Sequence, residues 1–397
     1  MVKRNNILKN LILAILLGFV ASLIGELLLA AIKTSTKSLA TKQIWYIYPL
    51  IGSVFLVVIR RYMLGDNIDF GIDEIQDEIK NIKYKVMNIE DTLVKSSLTF
   101  VTLVFGFSAG KFGPLIHIGG SIGSNMAYNL KLNKEDIRYF IGAGVAATLS
   151  GFFGNPLFGV FFAIEILFHY KINWRVIYIF IGGFSALIVS RFIIKEDFFY
   201  IEHLGVDLSI GEIVIRLLII GIITGLVSSV YDMILKKSKS FIKKNEKFYY
   251  PLIGGILMSL IGYFYPQIFD LYIDINHVTL NGELLVHTAI ILILLKLLAT
   301  GITFSFGGVG GGFGPAIYIG TLIGYSVSVL GLQANYCNIL GMVGMMAGYS
   351  NAPIASAFLF AGIMENKIFF IPFIILSIIS SYLNKRIVRR IIKNWSE

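Results

Sequence analysis

The chain has 397 residues, of which 56% are hydrophobic and 15% are charged, and its formal net charge is +10. A water-soluble protein of this length could not bury so much apolar surface, so the composition excludes a soluble fold and predicts a membrane protein with several spans. The single cysteine, Cys337, excludes an internal disulfide and a cysteine metal cluster.

Apolar segments predict the membrane helices in chain order. The long runs reach or approach the roughly 17 to 25 residues that a spanning helix needs. They cover 10–32, 45–59, 174–194, 212–235, 250–265, 284–303 and 368–383. Shorter runs beside glycine or proline predict tilted or partial helices with ends buried in protein. These cover 97–109, 114–130, 140–151, 153–168, 313–332, 338–349 and 352–364.

Basic residues cluster at the ends of these apolar segments. The positive-inside rule therefore predicts a multi-pass protein of the cell membrane with both termini in the cytoplasm. The densest basic segment, Lys236–Lys247, is interpreted as a loop on that face. Topology and attraction to the lipid bilayer explain the positive charge, so we expect no nucleic-acid partner.

An acidic stretch covers residues 66–91, beside several lysines. Its acids recur with helical spacing and could meet lysines three or four residues further on. The stretch is therefore interpreted as a solvated amphipathic surface, with a cation site as the less favoured alternative.

A duplicated segment is the most informative feature of the chain. Gly110–Gly123 reads GKFGPLIHIGGSIG, and Gly311–Gly324 reads GGFGPAIYIGTLIG, with nine identities at an offset of 201 positions. The YPLIG segment at 48–52 recurs at 250–254, and Pro156 corresponds to Pro353 when the two repeats are aligned. The duplication predicts two repeats, and the lysine content of their first loops favours an inverted over a parallel arrangement.

Each copy contains a Phe-Gly-Pro turn, which predicts a helix start with proline in the first turn. Such a start carries partial positive charge and amides without intrahelical acceptors, so it attracts an anion. The expected donors are the amides of Phe112, Gly113, Gly312 and Phe313. The alternative is that the glycines at 307–312 only allow close helix packing.

These segments resemble the CLC family of chloride channels and chloride/proton antiporters. GKFGP at 110–114 resembles the family's G-K/R-E-G-P motif, and GGFGP at 311–315 resembles its G-x-F-x-P motif. Residues 154–165 and 351–365 are similar to its two helices that begin with Asn/Arg-Ala-Pro-Leu. The resemblance implies an all-α polytopic membrane protein of two inverted-topology repeats, built from tilted and partial helices. We place the repeats at 1–205 and 206–397.

The resemblance also implies a homodimer with one pore per subunit and chloride or a similar small anion as the partner. The family's gating glutamate falls on Phe112, and the internal proton-transfer glutamate of its antiporters falls on Ile166. Neither side chain carries a proton, which argues against proton exchange by that route. Glu165 matches a retained glutamate of the family. Within the membrane it is interpreted as a structural acid that is hydrogen-bonded to helix amides more readily than as a functional one.

The family's first anion motif is degraded here, because its serine falls on Phe70. Tyr382 is the nearest counterpart of the tyrosine that the family uses in its last helix, with Asn384 as the alternative. The predicted anion pathway comprises Phe70, Gly71, Gly110, Lys111, Phe112, Gly113, Pro114, Gly311, Gly312, Phe313, Gly314, Pro315 and Tyr382.

Enzyme readings find no supporting constellation. The five histidines are scattered without an i, i+4 pair, and His117 is expected to be packed in the core or at the lipid interface. We expect no catalytic residue, cofactor, metal or cytoplasmic regulatory domain. The sequence favours passive transport of small monovalent anions. A chloride/proton antiporter with a different proton path and a non-conducting relative remain the alternatives.

Overall fold

The computed structural model describes residues 2–41, 44–63, 72–80, 87–193, 210–245, 247–269, 275–280, 284–330, 334–363 and 370–396. Within these ranges the regular secondary structure is helical, apart from one isolated antiparallel bridge between Gly110 and Gly311. The chain forms two compact units. The first unit contains Met1–Ala31, Gly65–Ser97 and Lys111–Phe198, and the second contains Ile32–Leu64, Leu98–Gly110 and Phe199–Glu397. The repeat boundary predicted at residue 205 lies outside the described residues.

The first unit is built around two adjacent helices, α5 and α6, which pack against each other. Its helices are α1 (Val2–Ala40, as far as Ala31), α3 (Ile72–Lys80), α4 (Ile89–Val104, as far as Ser97), α5 (Phe112–Asn129), α6 (Lys134–Phe153), α7 (Pro156–Phe162) and α8 (Val176–Ile193). A π-helical turn, Ala163–Leu167, continues α7. Helix α6 also packs on α7 and α8, so it lies at the centre of the unit.

The second unit repeats this design around α13 and α14. Its further helices are α2 (Tyr48–Met63), α9 (Ile210–Asn245), α10 (Tyr250–Phe264), α11 (Ile275–Leu280), α12 (Val286–Ser305), α13 (Phe313–Ser328), α14 (Ala334–Ser350), α15 (Pro353–Ile363) and α16 (Phe370–Ser396). Helix α14 packs on α9, α13 and α16. Short 3₁₀ turns occupy Trp45–Ile47 and Pro266–Ile268.

Equivalent glycines allow the central helix pair of each unit to approach closely. A Cβ atom added to Gly144 of α6 would collide with the carbonyl oxygen of Gly119 on α5. In the second unit, a Cβ on Gly341 of α14 would collide in the same way with Gly320 of α13. Small residues at such crossings are the usual means by which membrane helices come into backbone contact. The glycines of the duplicated segment therefore do support tight packing.

Four helices in the described part of the chain are long and apolar enough to cross a membrane. They are Ile7–Ala40, Val214–Asn245, Val286–Ser305 and Phe370–Ile391. Shorter apolar helices cover Pro156–Leu167, Val176–Phe192, Tyr250–Phe264 and Pro353–Gly362. The four long helices coincide with four of the seven long runs that the sequence predicts, whereas the runs 174–194 and 250–265 form shorter helices.

The prediction of a loop at Lys236–Lys247 was wrong, because α9 remains helical to Asn245. One face of this basic segment is buried: Ile242 is buried, and the Ser238 hydroxyl donates to the carbonyl of Gly301 at 3.1 Å. A helix of 36 residues extends about 54 Å, which exceeds the roughly 30 Å hydrocarbon core. The lysine-rich end can therefore lie beyond the apolar layer without leaving the helix.

Candidate anion pathway

The first Phe-Gly-Pro turn starts a helix in the interior of the first unit. Helix α5 begins at Phe112, as the sequence predicts, and residues 112–121 are all buried. The residue at its N-cap, Lys111, makes no capping hydrogen bond with its side chain in the part of the chain that the structure describes. Because the first amides of a helix have no intrahelical acceptors, a start built in this way suits an anion.

Phe112, where the resemblance predicts the gating position, packs in a cluster of phenylalanine rings. Its ring centroid lies 4.9 Å from that of Phe153, 6.2 Å from that of Phe152 and 6.3 Å from that of Phe158. The contacts with Phe152 and Phe158 are edge-to-face, an arrangement that aromatic rings prefer. Phe112 is 4% exposed. The structure therefore places a packed, uncharged ring at this position.

The second Phe-Gly-Pro turn starts α13 at Phe313, again as predicted, with Gly312 as the cap residue. Tyrosines surround this start. The Tyr231 hydroxyl donates to the carbonyl of Gly312 at 2.6 Å, and the ring of Tyr349 lies 5.1 Å from those of both Phe313 and Tyr231. The second unit thus presents aromatic rings with hydroxyl groups where the first unit presents phenylalanines.

Gly110 and Gly311 pair directly with each other within the second unit. Their two backbone hydrogen bonds have N to O distances of 2.6 and 2.8 Å. The amides of these two predicted pathway residues are therefore used by the protein. The backbone amides that remain as donors for an anion lie further along each motif, among the residues that the sequence analysis predicts.

The start of α7, in contrast, is capped by a side chain. The Asn155 side chain accepts from the amide of Phe158 at 3.1 Å, directly before Pro156. This cap satisfies a donor that would otherwise be open to an anion. Before α15, the Ser350 hydroxyl accepts from the amide of Ala352 at 3.2 Å, one residue ahead of the first helical residue, Pro353.

Glu165 is buried in the π-helical turn and accepts a hydrogen bond from a tyrosine. The hydroxyl of Tyr170 donates to its carboxylate. Burial, together with this bond, raises the pKa of Tyr170 above its usual value, so the phenol stays a donor. Ile166 is also buried, and its carbonyl accepts from the side chain of Gln76 at 2.7 Å.

The remaining predicted pathway residues are Phe70, Gly71 and Tyr382. Phe70 and Gly71 lie outside the described residues. Tyr382 is 59% exposed, whereas the alternative, Asn384, is 1% exposed. The amide nitrogen of Asn384 lies 3.4 Å from the Ser228 hydroxyl. This placement favours Asn384 over Tyr382 as the inward-facing residue of the last helix.

A buried ion pair contradicts the interpretation of residue 74 as part of a solvated surface. Both carboxylate oxygens of Glu74 accept from the ammonium of Lys95, at 2.7 and 2.8 Å. Nδ1 of His117 lies 3.3 Å from the same carboxylate, which joins α3, α4 and α5. Lys95 lies 21 positions beyond Glu74, so helical spacing could not reveal the pair. His117 is packed in the core, as expected.

The second unit has a buried lysine at the equivalent position, 201 residues after Lys95. The ammonium of Lys296 donates to the carbonyl of Ile268 at 2.9 Å and lies 4.4 Å from the centre of the Tyr318 ring. Tyr318 is the counterpart of His117 in the repeat. Each unit therefore places a buried lysine beside the second turn of the helix that its Phe-Gly-Pro turn starts, α5 or α13. The offset of 201 is the signal that could have identified both lysines.

The helical fold and the repeated buried helix starts define an anion-transporting membrane protein of the CLC type. The family model described as voltage gated chloride channel matches residues 54–385, and the chain belongs to this family. Two solved structures share the fold. One is a slow cyanobacterial Cl⁻/H⁺ antiporter, with a TM-score of 0.80 and 19% identity over 95% of this chain and 94% of the other. The second is a CLC-type fluoride/proton antiporter, with a TM-score of 0.78 and 22% identity over 96% and 95%.

Curated relatives include proteins of both transport types. The chain is 25% identical over 391 residues to a chloride/fluoride channel protein of Pseudomonas syringae pv. tomato, covering 95% of this chain and 84% of the relative. It is 26% identical over 292 residues to the H⁺/Cl⁻ exchange transporter ClcA of Salmonella arizonae, covering 69% of this chain and 61% of ClcA. The family membership establishes a membrane anion transporter, and its coupling to protons has to be argued from the residues of this chain.

Proposed function

We propose that this protein passes chloride or similar small monovalent anions passively down their gradient, without proton coupling by the usual glutamate route. The observation that carries this proposal is Phe112, a phenyl ring at the gating position, packed against Phe152, Phe153 and Phe158. A phenyl ring neither binds a proton nor competes with the anion as a carboxylate would. Proton movement therefore has no carrier at this point of the pathway.

The second proton-handling position supports the same proposal. Ile166 carries no titratable group, and the neighbouring Glu165 accepts a hydrogen bond from Tyr170. An acid that is buried and hydrogen-bonded in this way serves the local structure of the turn after α7. The donors for the anion are the amides at the starts of α5 and α13, where the helix ends carry partial positive charge.

A chloride/proton antiporter with a different proton path is the second candidate. It is favoured by the likeness to the exchange transporter ClcA and to two antiporters of known structure. Such a path would have to use titratable groups other than the residues at positions 112 and 166.

Anion efflux and proton movement measured together in liposomes distinguish these functions. Purified protein is reconstituted with a chloride gradient, and chloride and external pH are recorded simultaneously. We expect chloride efflux without proton movement. A fixed anion-to-proton ratio would establish the antiporter instead, and the absence of both fluxes would identify a non-conducting relative.

The family suggests the assembly of the chain, and the distribution of its basic residues suggests the orientation. We propose a homodimer with one pathway per subunit and with both termini in the cytoplasm. Light scattering of the detergent-solubilised protein tests the first proposal, and protease access to tags at each terminus tests the second.

A further inference from the structure

The proposed pathway lacks the hydroxyl groups that the family pattern places beside the anion. The family pattern supplies the anion with a serine hydroxyl and a tyrosine hydroxyl, but the serine position is Phe70 in this sequence. The nearest tyrosine of the last helix, Tyr382, is largely exposed. A pathway built from the expected residues would therefore lack the hydroxyl donors that replace part of the water around an anion.

Tyr349 presents a hydroxyl at the start of α13 from a different helix. It lies near the end of α14, and its hydroxyl oxygen is so close to Gly312 that a Cβ atom there would collide with it. Its ring packs edge-to-face on Phe313, with centroids 5.1 Å apart and an interplanar angle of 73°. Gly312 and Phe313 are the residues whose amides the proposed function assigns to the anion.

The neighbouring tyrosine has a different task. The hydroxyl of Tyr231 donates to the carbonyl of Gly312 at 2.6 Å, and its side chain is fully buried. That bond orients the cap residue of α13, whereas the Tyr349 hydroxyl lies against its Cα position. Tyr231 is thus a positioning residue for the helix start.

Comparison of the two repeats separates the hydroxyl of Tyr349 from its ring. When Pro156 is aligned with Pro353, Tyr349 corresponds to Phe152 of α6. Phe152 packs edge-to-face on Phe112, as Tyr349 does on Phe313, with interplanar angles of 80° and 73°. The aromatic ring is therefore common to both units, and the hydroxyl is present only in the second. The two units therefore differ at this position by one oxygen atom.

We infer that the Tyr349 hydroxyl is a ligand of the transported anion at the start of α13, in place of the hydroxyls that the family pattern supplies elsewhere. This inference rests on the proposed function, because it assigns a residue to the same pathway. A hydroxyl donor favours small anions that accept strong hydrogen bonds, such as chloride and fluoride, over nitrate and thiocyanate. Tyr349 is accordingly a specificity-determining residue.

The test is Tyr349→Phe, which removes one oxygen and recreates the residue of the first repeat. Hydrogen bonds to charged groups are strong enough that we expect chloride binding, measured by calorimetry on the purified full-length protein, to weaken about tenfold. In liposomes the ratio of nitrate to chloride flux should rise. Tyr336→Phe, the same substitution at a buried position of the same helix, should leave both quantities unchanged.

The outcomes separate this inference from the proposed function. If Tyr349→Phe binds chloride like the wild type and keeps its selectivity, the inference is overturned while passive flux stands. Proton-coupled flux in the wild type would overturn the proposed function, whereas a loss of chloride binding confined to Tyr349→Phe would still support the ligand. A wild-type protein that binds no chloride would overturn the inference as well.

Discussion

The backbone amide of Gly110 donates to the carbonyl of Gly311 at 2.6 Å, and the amide of Gly311 donates to the carbonyl of Gly110 at 2.8 Å. Each residue opens one copy of the duplicated motif. The pair occupies the amide of the first residue of each motif, so the anion donors must come from the residues that follow. It also fixes the backbone two residues before Phe112 and Phe313.

Substitution of Gly110 by alanine should abolish anion flux. A Cβ atom at this position would lie 2.5 Å from the amide nitrogen of Gly314 and 3.1 Å from the carbonyl oxygen of Gly311, and backbone atoms cannot yield as side chains do. Overpacking of this kind typically costs about 1–3 kcal/mol. Flux in liposomes and thermal unfolding in detergent measure the effect.

Gly221→Ala is the matched control for this variant. The nearest atoms to its added Cβ belong to the side chain of Ile379, at 3.2 and 3.4 Å, which can shift. Alanine in place of glycine in α9 also favours the helix, by up to about 1 kcal/mol. Equal flux in Gly110→Ala and Gly221→Ala would contradict the role assigned to the Gly110–Gly311 pair.

Replacement of Phe112 by glutamate should make transport pH-dependent. Above the pKa of the new carboxylate, its negative charge competes with the anion for the amides at the start of α5, so flux falls. Below that pKa the group is neutral, so flux recovers as the pH is lowered. A free glutamate has a pKa of about 4.3, and the apolar surroundings of position 112 would raise that value. Chloride efflux at a series of pH values checks the sign.

Phe112→Gln separates charge from the loss of the phenyl ring. It removes the same ring contacts with Phe152, Phe153 and Phe158 but does not titrate, so its flux should not depend on pH. If Phe112→Glu and Phe112→Gln showed the same pH profile, position 112 would not lie on the anion pathway.

Removal of Lys95 alone should destabilise the protein more than removal of both members of its ion pair. Lys95→Met leaves the Glu74 carboxylate beside His117 without the ammonium that lies 2.7 and 2.8 Å from its oxygens. Breaking a fully buried pair costs about 3–5 kcal/mol, and the partial exposure of Glu74 places this case at or below the low end.

The double variant Lys95→Met, Glu74→Gln is the decisive comparison. It removes the uncompensated charge, so its midpoint of thermal unfolding in detergent should lie above that of Lys95→Met. The role of the pair in the packing of α3 would be contradicted by two results together. Lys95→Met would be about as stable as the wild type, and the double variant would be less stable than Lys95→Met.

The helix starts at Phe112 and Phe313 could be predicted because their determinants are local. Glycine before the turn and proline within the first turn restrict the backbone wherever they occur, and the duplication marked both places. Repeats also made the family recognisable, since four motifs appeared in the same order. Local signals of this kind need no knowledge of tertiary contacts.

Contacts between distant segments could not be predicted in the same way. The Glu74–Lys95 pair joins two helices, and the charge pattern of residues 66–91 by itself favoured a solvated surface. Tyr349 was overlooked because the family pattern directs attention to the last helix, where Tyr382 is the nearest tyrosine. Its role depends on the packing of α14 against α13. The continuation of α9 through its lysines likewise depends on burial of Ile242 and Ser238.

The reversal potential in a planar bilayer or in voltage-clamped liposomes tests the absence of proton coupling most directly. With a fixed chloride gradient and a pH difference imposed across the membrane, we predict that the reversal potential equals the chloride equilibrium potential at every pH difference. A reversal potential that moves systematically with the proton gradient would contradict the account, because it would require protons to cross with the anion despite Phe112 and Ile166.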